Sequence, residues 1–422
     1  MGQVYAMLKN GTPMVRITTE DGEEEVIVNH KFFNEIKNLP DNTLSIVEGI
    51  NFATAGDYSH VQILSPIGQT AIRSDLTPGL PRLAPILSEE SDLALGRVLP
   101  QSQNPTAVSV YPSVLSIIAQ ITSRVFVGKD LGRNPRWQEL SHQYSTQAFE
   151  ASHAIKQWKP WLRPLVHRFL PEIRKLNFLY SEAVELLKND AISNTKREED
   201  ILTNWLAAKF PEWATNYELQ ASIQMEIAMA AIHTSSMALA HLIFDLAAYP
   251  EYVQPLRDEI NEVLHEAGGF TKEAMAKLKK MDSFMKESQC RNPPALTTFK
   301  RKALKGFTLS DGTFIPKDTI LEVDGANRYW DLELYENADH FDGFRFYRLR
   351  EQLNEPNKHQ FVSSSNEYLH WGMGRHACPG RFFAGNEIKT VLAKILLSYD
   401  ISLPKGATRR PKNIVFSTQV SF

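Results

Sequence analysis

From Glu218 to Ala248 the chain carries one helical run that is apolar almost all round, with ASIQMEIAMAAIHTSSMALAHLIFDLAAY as its main stretch and Pro250 as its stop. A helix without a polar face has to be wrapped by other elements, so this run belongs at the centre of the fold. The expectation is a mainly α protein built around it. Inside the run stands Ala230-Ala231-Ile232-His233-Thr234-Ser235-Ser236. Polar side chains at that depth are costly unless they are used. Hydroxyls there can bond back to the preceding turn, which bends a helix and opens a groove. Taken alone, His233 and Thr234 also read as satisfied core polars.

A second stretch supplies the chemistry. Between Tyr368 and Ala384 the chain reads Trp371-Gly-Met-Gly374-Arg-His376-Ala-Cys378-Pro-Gly380-Arg-Phe-Phe. Glycines permit a tight turn whose backbone approaches a flat ligand. Cys378 falls just before the amphipathic run Arg381 to Leu397, hence at a helix start, where free N–H groups favour a thiolate. Cysteine thiolate is one of the axial ligands with which proteins hold haem iron. Two other readings of Cys378 compete: a small buried hydrophobe, and a nucleophile with His376 as its base.

These residues resemble the signature aromatic-x-x-Gly-x-(Arg/His)-x-Cys-x-Gly of the haem-thiolate monooxygenases, the cytochrome P-450 family, with Trp371 where phenylalanine is usual. The resemblance extends over nearly the whole chain. It implies haem (iron protoporphyrin IX) with Cys378 as the metal ligand and Trp371, Gly374 and Gly380 shaping the cofactor site. His376, in the Arg/His slot, and Arg301, in TTFKRKALK, are implied partners of the haem carboxylates. The run Ala230 to Thr234 resembles the family's Gly/Ala-small-x-acid-Thr motif, which makes Thr234 the proton-relay hydroxyl and puts His233 in the acid's place. An imidazole can shuttle protons near neutral pH. Arg73 is either a further carboxylate partner or a solvated helix-surface arginine.

Met285-Lys-Glu287-Ser-Gln-Cys290-Arg291-Asn-Pro293-Pro294 resembles the family's Glu-x-x-Arg helix, with Cys290 where the arginine is expected. Arg291 is at i+4 and can reach Glu287 from the other side. The second arginine of that network maps to Arg345 in Phe341-Asp-Gly-Phe344-Arg345-Phe346. Were Arg291 to stay outside, Glu287 would keep one cation only, and breaking a buried pair costs ~3–5 kcal/mol. Cys290→Arg would then raise the haem-loaded fraction.

The whole chain sets bounds. Its 422 residues allow two or three domains, and 43% apolar with 23% charged residues is a globular composition. Forty-six Lys and Arg against forty-nine Asp and Glu, net −3, offer no general field for nucleic acid. Two cysteines are too few for a disulfide framework and fit a reducing compartment. The expectation is also that no stretch approaches the roughly 20 apolar residues that span a bilayer. MGQVYAMLKNG lacks a signal-peptide core, and the resemblance implies an anchor before this point in the native form.

In order along the chain, MVRITT and EEVIVN read as strands joined at Asp21-Gly22, and HKFFNEIKNL as a polar helix. A helix is expected over Ser65 to Asp75, then a turn at Thr77-Pro78-Gly79; residues 107 to 126 and 135 to 157 carry helical periodicity. Trp158 to Leu170, aromatic and basic with prolines, reads either as core or as a lipid-interface stretch. Lys196 to Asp200 is a solvated charged loop. FTLSDGTFIP is a second Asp-Gly hairpin, TILEVD a strand, and the tail after Tyr399 short strands and turns. Arg375 and Arg381 with neighbouring lysines suggest a basic docking face for an acidic electron-transfer partner.

The expected architecture is a single haem-binding domain over 1–422, mainly α, with a small β-rich lobe (about 1–50 plus 305–325) and a helical core (about 60–300 and 368–400). The implied activity inserts one oxygen atom from dioxygen into a C–H bond of an apolar substrate, a terpenoid or other secondary metabolite, as in the filamentous-fungal branch similar to gibberellin-pathway oxidases. Implied partners are an NADPH-cytochrome reductase and cytochrome b5, at the cytosolic face of the endoplasmic reticulum. Competing readings are a rearrangement or peroxide-using haem enzyme, suggested by the missing acid before Thr234, and a haem binder without turnover, suggested by Cys290 and the short ends.

Overall fold

The computed structural model describes residues 1–61, 65–193, 201–352, 355, 358–416 and 419–421. The charged segment Lys196 to Asp200 lies outside them. The main helices are α1 (Thr77–Val98), α2 (Val110–Val127), α3 (Pro135–Lys156), α4 (Pro171–Ser193), α5 (Tyr217–Ala248), α6 (Val253–Ala267), α7 (Lys279–Arg291) and α8 (Arg381–Ser398). Helix α5 starts where the Asn216 side chain accepts from Leu219 N–H and ends at Tyr249, before Pro250. It packs against α2, α3, α4, α7 and α8, so its apolar faces are covered from several sides. Each fully buried Ile, Leu or Met on it contributes about 1.5–3 kcal/mol, which is why a helix with no polar stripe is stable only here.

By length and composition, α2 and α5 would suffice to cross a membrane, contrary to the expectation that no stretch qualifies. Both are largely buried inside this fold instead, and interior helices share the composition of spans. The expected turn at Thr77-Pro78-Gly79 is also overturned. A helix from Pro66 to Ala71 continues through a π-helical turn, Ile72–Leu76, directly into α1. Pro78 stands in the first turn of α1, where its missing N–H costs least.

The β-rich lobe is a five-stranded sheet. Its strands are β1 (Met14–Thr18), β2 (Glu24–Val28), β3 (Leu44–Ser45), β4 (Thr297–Ala303) and, after a two-stranded hairpin β5 (Phe307–Thr308) and β6 (Phe314–Ile315), β7 (Ile320–Asp324). The order is β1-β2-β7-β4-β3. Both Asp-Gly hairpins form as expected. The sheet takes in Thr297–Ala303, however, which extends the lobe into chain assigned to the helical core up to residue 300. Strand β4 alternates buried and half-buried positions, a period of two that a short basic stretch disguises.

Between α3 and α4, Trp158, Trp161, Leu165 and Phe169 are exposed, Trp161 at 73%. The core reading of this stretch is therefore wrong. Its prolines break the chain into short turns, Pro160–Leu162 and Arg163–Val166, that leave the aromatic side chains outside.

Candidate active site

Ala230 and Thr234, one turn apart on α5, are exposed although Ala228, Met229 and Ile232 beside them are buried. Both open into a cavity shared with Cys378, Trp371 and Ile388 and with Met285, Ser288 and Gln289 of α7. It encloses about 830 Å³, part of it open to solvent. Thr234 Oγ1 donates to the Ala230 carbonyl at 2.7 Å, and Ser236 Oγ to that of Ile232 at 2.6 Å. These are the back-bonds expected of hydroxyls in an apolar helix.

His233 does not share that cavity. Its Nε2 lies 3.0 Å from the His142 carbonyl oxygen on α3, and its Nδ1 lies 2.8 Å from the Tyr111 hydroxyl on α2. A carbonyl only accepts, so Nε2 carries the proton and Nδ1 accepts from Tyr111. Consecutive residues on a helix point about 100° apart, so a neighbour of the cavity-facing Thr234 is free to turn outward. The imidazole in the acid's slot ties three helices together, and no acid on α5 stands beside Thr234 in the cavity.

The cysteine loop closes through Cys378 N–H, which donates to the Trp371 carbonyl at 2.7 Å. Gly374 has φ +74°, a left-handed turn that suits glycine. Gly380 has ordinary φ, −85°, but a Cβ there would meet nothing within 4 Å, which leaves backbone open to a flat ligand. The Trp371 indole N–H donates to the Phe361 carbonyl at 2.6 Å, an anchor that phenylalanine could not make. Burial pushes the Cys378 thiol above its ordinary pKa, while the N–H groups of Gly380 and Arg381 pull it down. The helix start therefore favours the thiolate against the burial that opposes it.

Behind the loop, Glu287 on α7 accepts from Arg291 Nε at 3.0 Å, Arg345 Nε at 3.1 Å and Asp342 N–H at 3.2 Å. Arg345 also donates to the Asn337 and His340 carbonyls, both at 3.1 Å. Arg291 has bent inward, so the expected gain from Cys290→Arg loses its condition. Cys290 instead fills an apolar space with Tyr329, Phe346 and Tyr368, and the Lys286 ammonium already sits 3.8 Å over the Tyr368 ring. A guanidinium placed there would face a second buried cation. The reading as a haem binder without turnover loses the support it drew from Cys290.

At the sheet side of the site, a bulge between Thr298 and Arg301 and a φ of +64° at Phe299 re-aim β4. Arg301 is 6% exposed, lies 4.3 Å over the Phe299 ring and bonds the Lys300 carbonyl. It pairs with no carboxylate among the described residues, and burial pulls it down to about 10 against Asp41. His376 Nε2 is 2.8 Å from Asp41 Oδ1, a partner that the motif did not announce. Arg73 is exposed and neither solvated alone nor turned to a carboxylate: it donates to the Arg375 carbonyl of the loop at 2.9 Å.

A buried guanidinium with no paired carboxylate among the described residues, a helix uncovered at two adjacent turns, a thiol lining the same cavity and open backbone at Gly380 fit a flat, anionic, metal-bearing group such as haem. Fold and site define a haem-thiolate protein. The sequence profile described as Cytochrome P-450 matches residues 1–420. Relatives include cytochrome P-450 monooxygenase AN1598 of Emericella nidulans, 36% identical over 422 residues, covering 97% of this chain and 78% of the relative. Another is BOA4 of Botryotinia fuckeliana, 36% identical over 398 residues (92% and 80%), and a third is cytochrome P-450 monooxygenase 1 of Gibberella fujikuroi, 35% identical over 360 residues (82% and 81%). The chain belongs to the cytochrome P-450 family. It is a monooxygenase whose family binds haem, takes electrons from a redox partner and acts on apolar substrates.

Sequence reasoning missed Asp41, Tyr111 and Glu387. Only the last left a signal, a lone carboxylate in the apolar run FFAGNEIKTVLAKILL.

Proposed function

We propose that this monooxygenase oxidises a C–H bond of a terpenoid or related fungal secondary metabolite, with Cys378 as the residue that would hold the haem iron and Thr234 as the hydroxyl that would relay protons. When bound, haem supplies the activation of dioxygen and the insertion of one oxygen atom. The chain holds the Cys378 thiol in a loop locked by the Trp371 carbonyl, and Thr234 lines the same cavity. Arg301, which pairs with no carboxylate among the described residues, and His376, now 2.8 Å from Asp41, would hold the carboxylates of the cofactor. The observation that carries the reading is that Ala230, Thr234 and Cys378 line one cavity.

The electron donors are an NADPH-cytochrome reductase and cytochrome b5, met by the basic surface at Arg375 and Arg381. The exposed Trp158, Trp161, Leu165 and Phe169 support attachment to the cytosolic face of the endoplasmic reticulum. The test is a reduced, carbon-monoxide-treated spectrum, followed by a terpenoid screen for displacement of the iron-bound water and by product analysis with reductase and NADPH. A thiolate spectrum with no oxidised product from any binding terpenoid would overturn the substrate class.

A further inference from the structure

Two of the chain's departures from the family's signatures, Trp371 for phenylalanine and Cys290 for arginine, meet in one cluster. Cys290, Tyr329, Phe346 and Tyr368 are buried together, with Tyr335 and Trp371 packed against them. Trp371 also lines the cavity of Cys378, and Tyr335 is half-buried. The rings between them are closely spaced: the Tyr368 and Tyr329 centroids lie 5.8 Å apart, and those of Tyr329 and Tyr335 6.0 Å. Indole and phenol rings give up one electron far more readily than the phenyl ring of phenylalanine. We propose that Trp371, Tyr368 and Tyr335, joined through the Tyr329 ring, form an electron path that re-reduces over-oxidised haem when no substrate is there to be oxidised.

Burial raises the Tyr368, Tyr329 and Tyr335 phenols above the ordinary tyrosine value and so keeps them protonated. A tyrosine station therefore loses its proton with its electron. Tyr368 donates its hydroxyl hydrogen bond to Gln289 Oε1, which takes that proton, and half-buried Tyr335 gives its own to water. The Lys286 ammonium, 3.8 Å over the Tyr368 ring, opposes a positive ring and so favours this release. A guanidinium at position 290 would add a second such charge. The thiol there adds none, since burial pushes Cys290 well above its ordinary pKa and holds it neutral. In one passage Trp371 gives an electron to the haem centre and keeps its N–H, bonded to the Phe361 carbonyl at 2.6 Å. Tyr368 then restores Trp371, and Tyr335 restores Tyr368, whose proton returns from Gln289. A thiol or ascorbate in solvent restores Tyr335, with a proton from water, so the reductant ends one electron short and no ring is changed. Met237 and Met285, on the cavity wall, are the side chains that the path spares from conversion to sulfoxide.

Haem-loaded ferric protein, mixed with peracetic acid in the absence of substrate and freeze-quenched, tests this. Its electron paramagnetic resonance spectrum should carry an organic radical whose signal narrows when the protein is made with ring-deuterated tyrosine. Trp371→Phe, which restores the family's usual ring, should weaken that tyrosine signal severalfold. Added ascorbate should quench the signal in the wild type, and Tyr335→Phe should slow the quenching severalfold. Under repeated peroxide additions, both variants should lose the thiolate band of the reduced carbon-monoxide spectrum severalfold faster than the wild type. Peptide mass spectra should then show more sulfoxide at Met237 and Met285, while Tyr111→Phe, away from the cluster, matches the wild type. A wild type without a tyrosine radical, or wild-type band loss and sulfoxide levels in either cluster variant that loads haem, overturns the proposal. Should Trp371→Phe not load haem, Tyr335→Phe decides.

Discussion

Two buried glutamates bracket the site and live in opposite surroundings. Glu287, behind the cysteine loop, meets two guanidinium groups and a backbone N–H. Among the described residues, Glu387, beneath the long helix, meets hydroxyls only. A carboxylate locked by cations is a brace, because removing any partner strands a buried charge. A carboxyl without cations keeps its proton and stays available for chemistry. The loop side of the molecule thus holds its glutamate with cations, and the helix side holds its glutamate as a neutral acid among hydroxyls.

The contrast can be broken by substitution, with effects graded from large to small. Cys378→Ala removes the group that both sides serve, so the reduced carbon-monoxide spectrum should lose its thiolate band altogether. Glu287→Ala should destabilise by about 3–5 kcal/mol, seen as a lower Tm and a smaller haem-loaded fraction, since two buried arginines lose their anion. Glu387→Gln should behave in the opposite sense with pH. The native carboxyl holds a proton up to about 8 that the unfolded chain releases near 4.5, so the wild type loses stability as pH rises through that window. Denaturant titrations at pH 6 and pH 8 should show the variant gaining roughly 2–3 kcal/mol on the wild type between them.

Smaller effects sharpen the same comparison. Arg291→Leu leaves Glu287 with Arg345 and Asp342 N–H, and should cost about 1.5–3 kcal/mol in Tm-derived stability. Cys290→Arg should lower the Tm and leave the haem-loaded fraction no higher. Tyr111→Phe removes one hydrogen bond to His233, about 1 kcal/mol, and should leave peroxide release unchanged because that histidine lies outside the cavity. A changed peroxide share there would move His233 back into the proton path.

Some of this was legible from residues alone. The central place of α5 followed from its lack of a polar face, and both Asp-Gly hairpins from turn chemistry. The thiol at a helix start followed from Gly380 and the amphipathic run after it. The reach of Arg291 to Glu287 followed from helical spacing, although spacing left open which way Arg291 would point. The strand Thr297–Ala303 was hidden by its lysines and arginine, and the turn at Thr77-Pro78-Gly79 was misread because proline is as welcome in a first helical turn as in a loop.

What the sequence by itself determined is whatever depends on neighbours along the chain: periodicity, turn residues and the spacing of a motif. Tertiary structure alone decided that His233 faces Tyr111 and His142, that Asp41 meets His376, and that Glu387 is left without a cation. Those partners stand tens to hundreds of residues away, and a side chain's charge state follows from the water and counter-charges that packing removes or supplies.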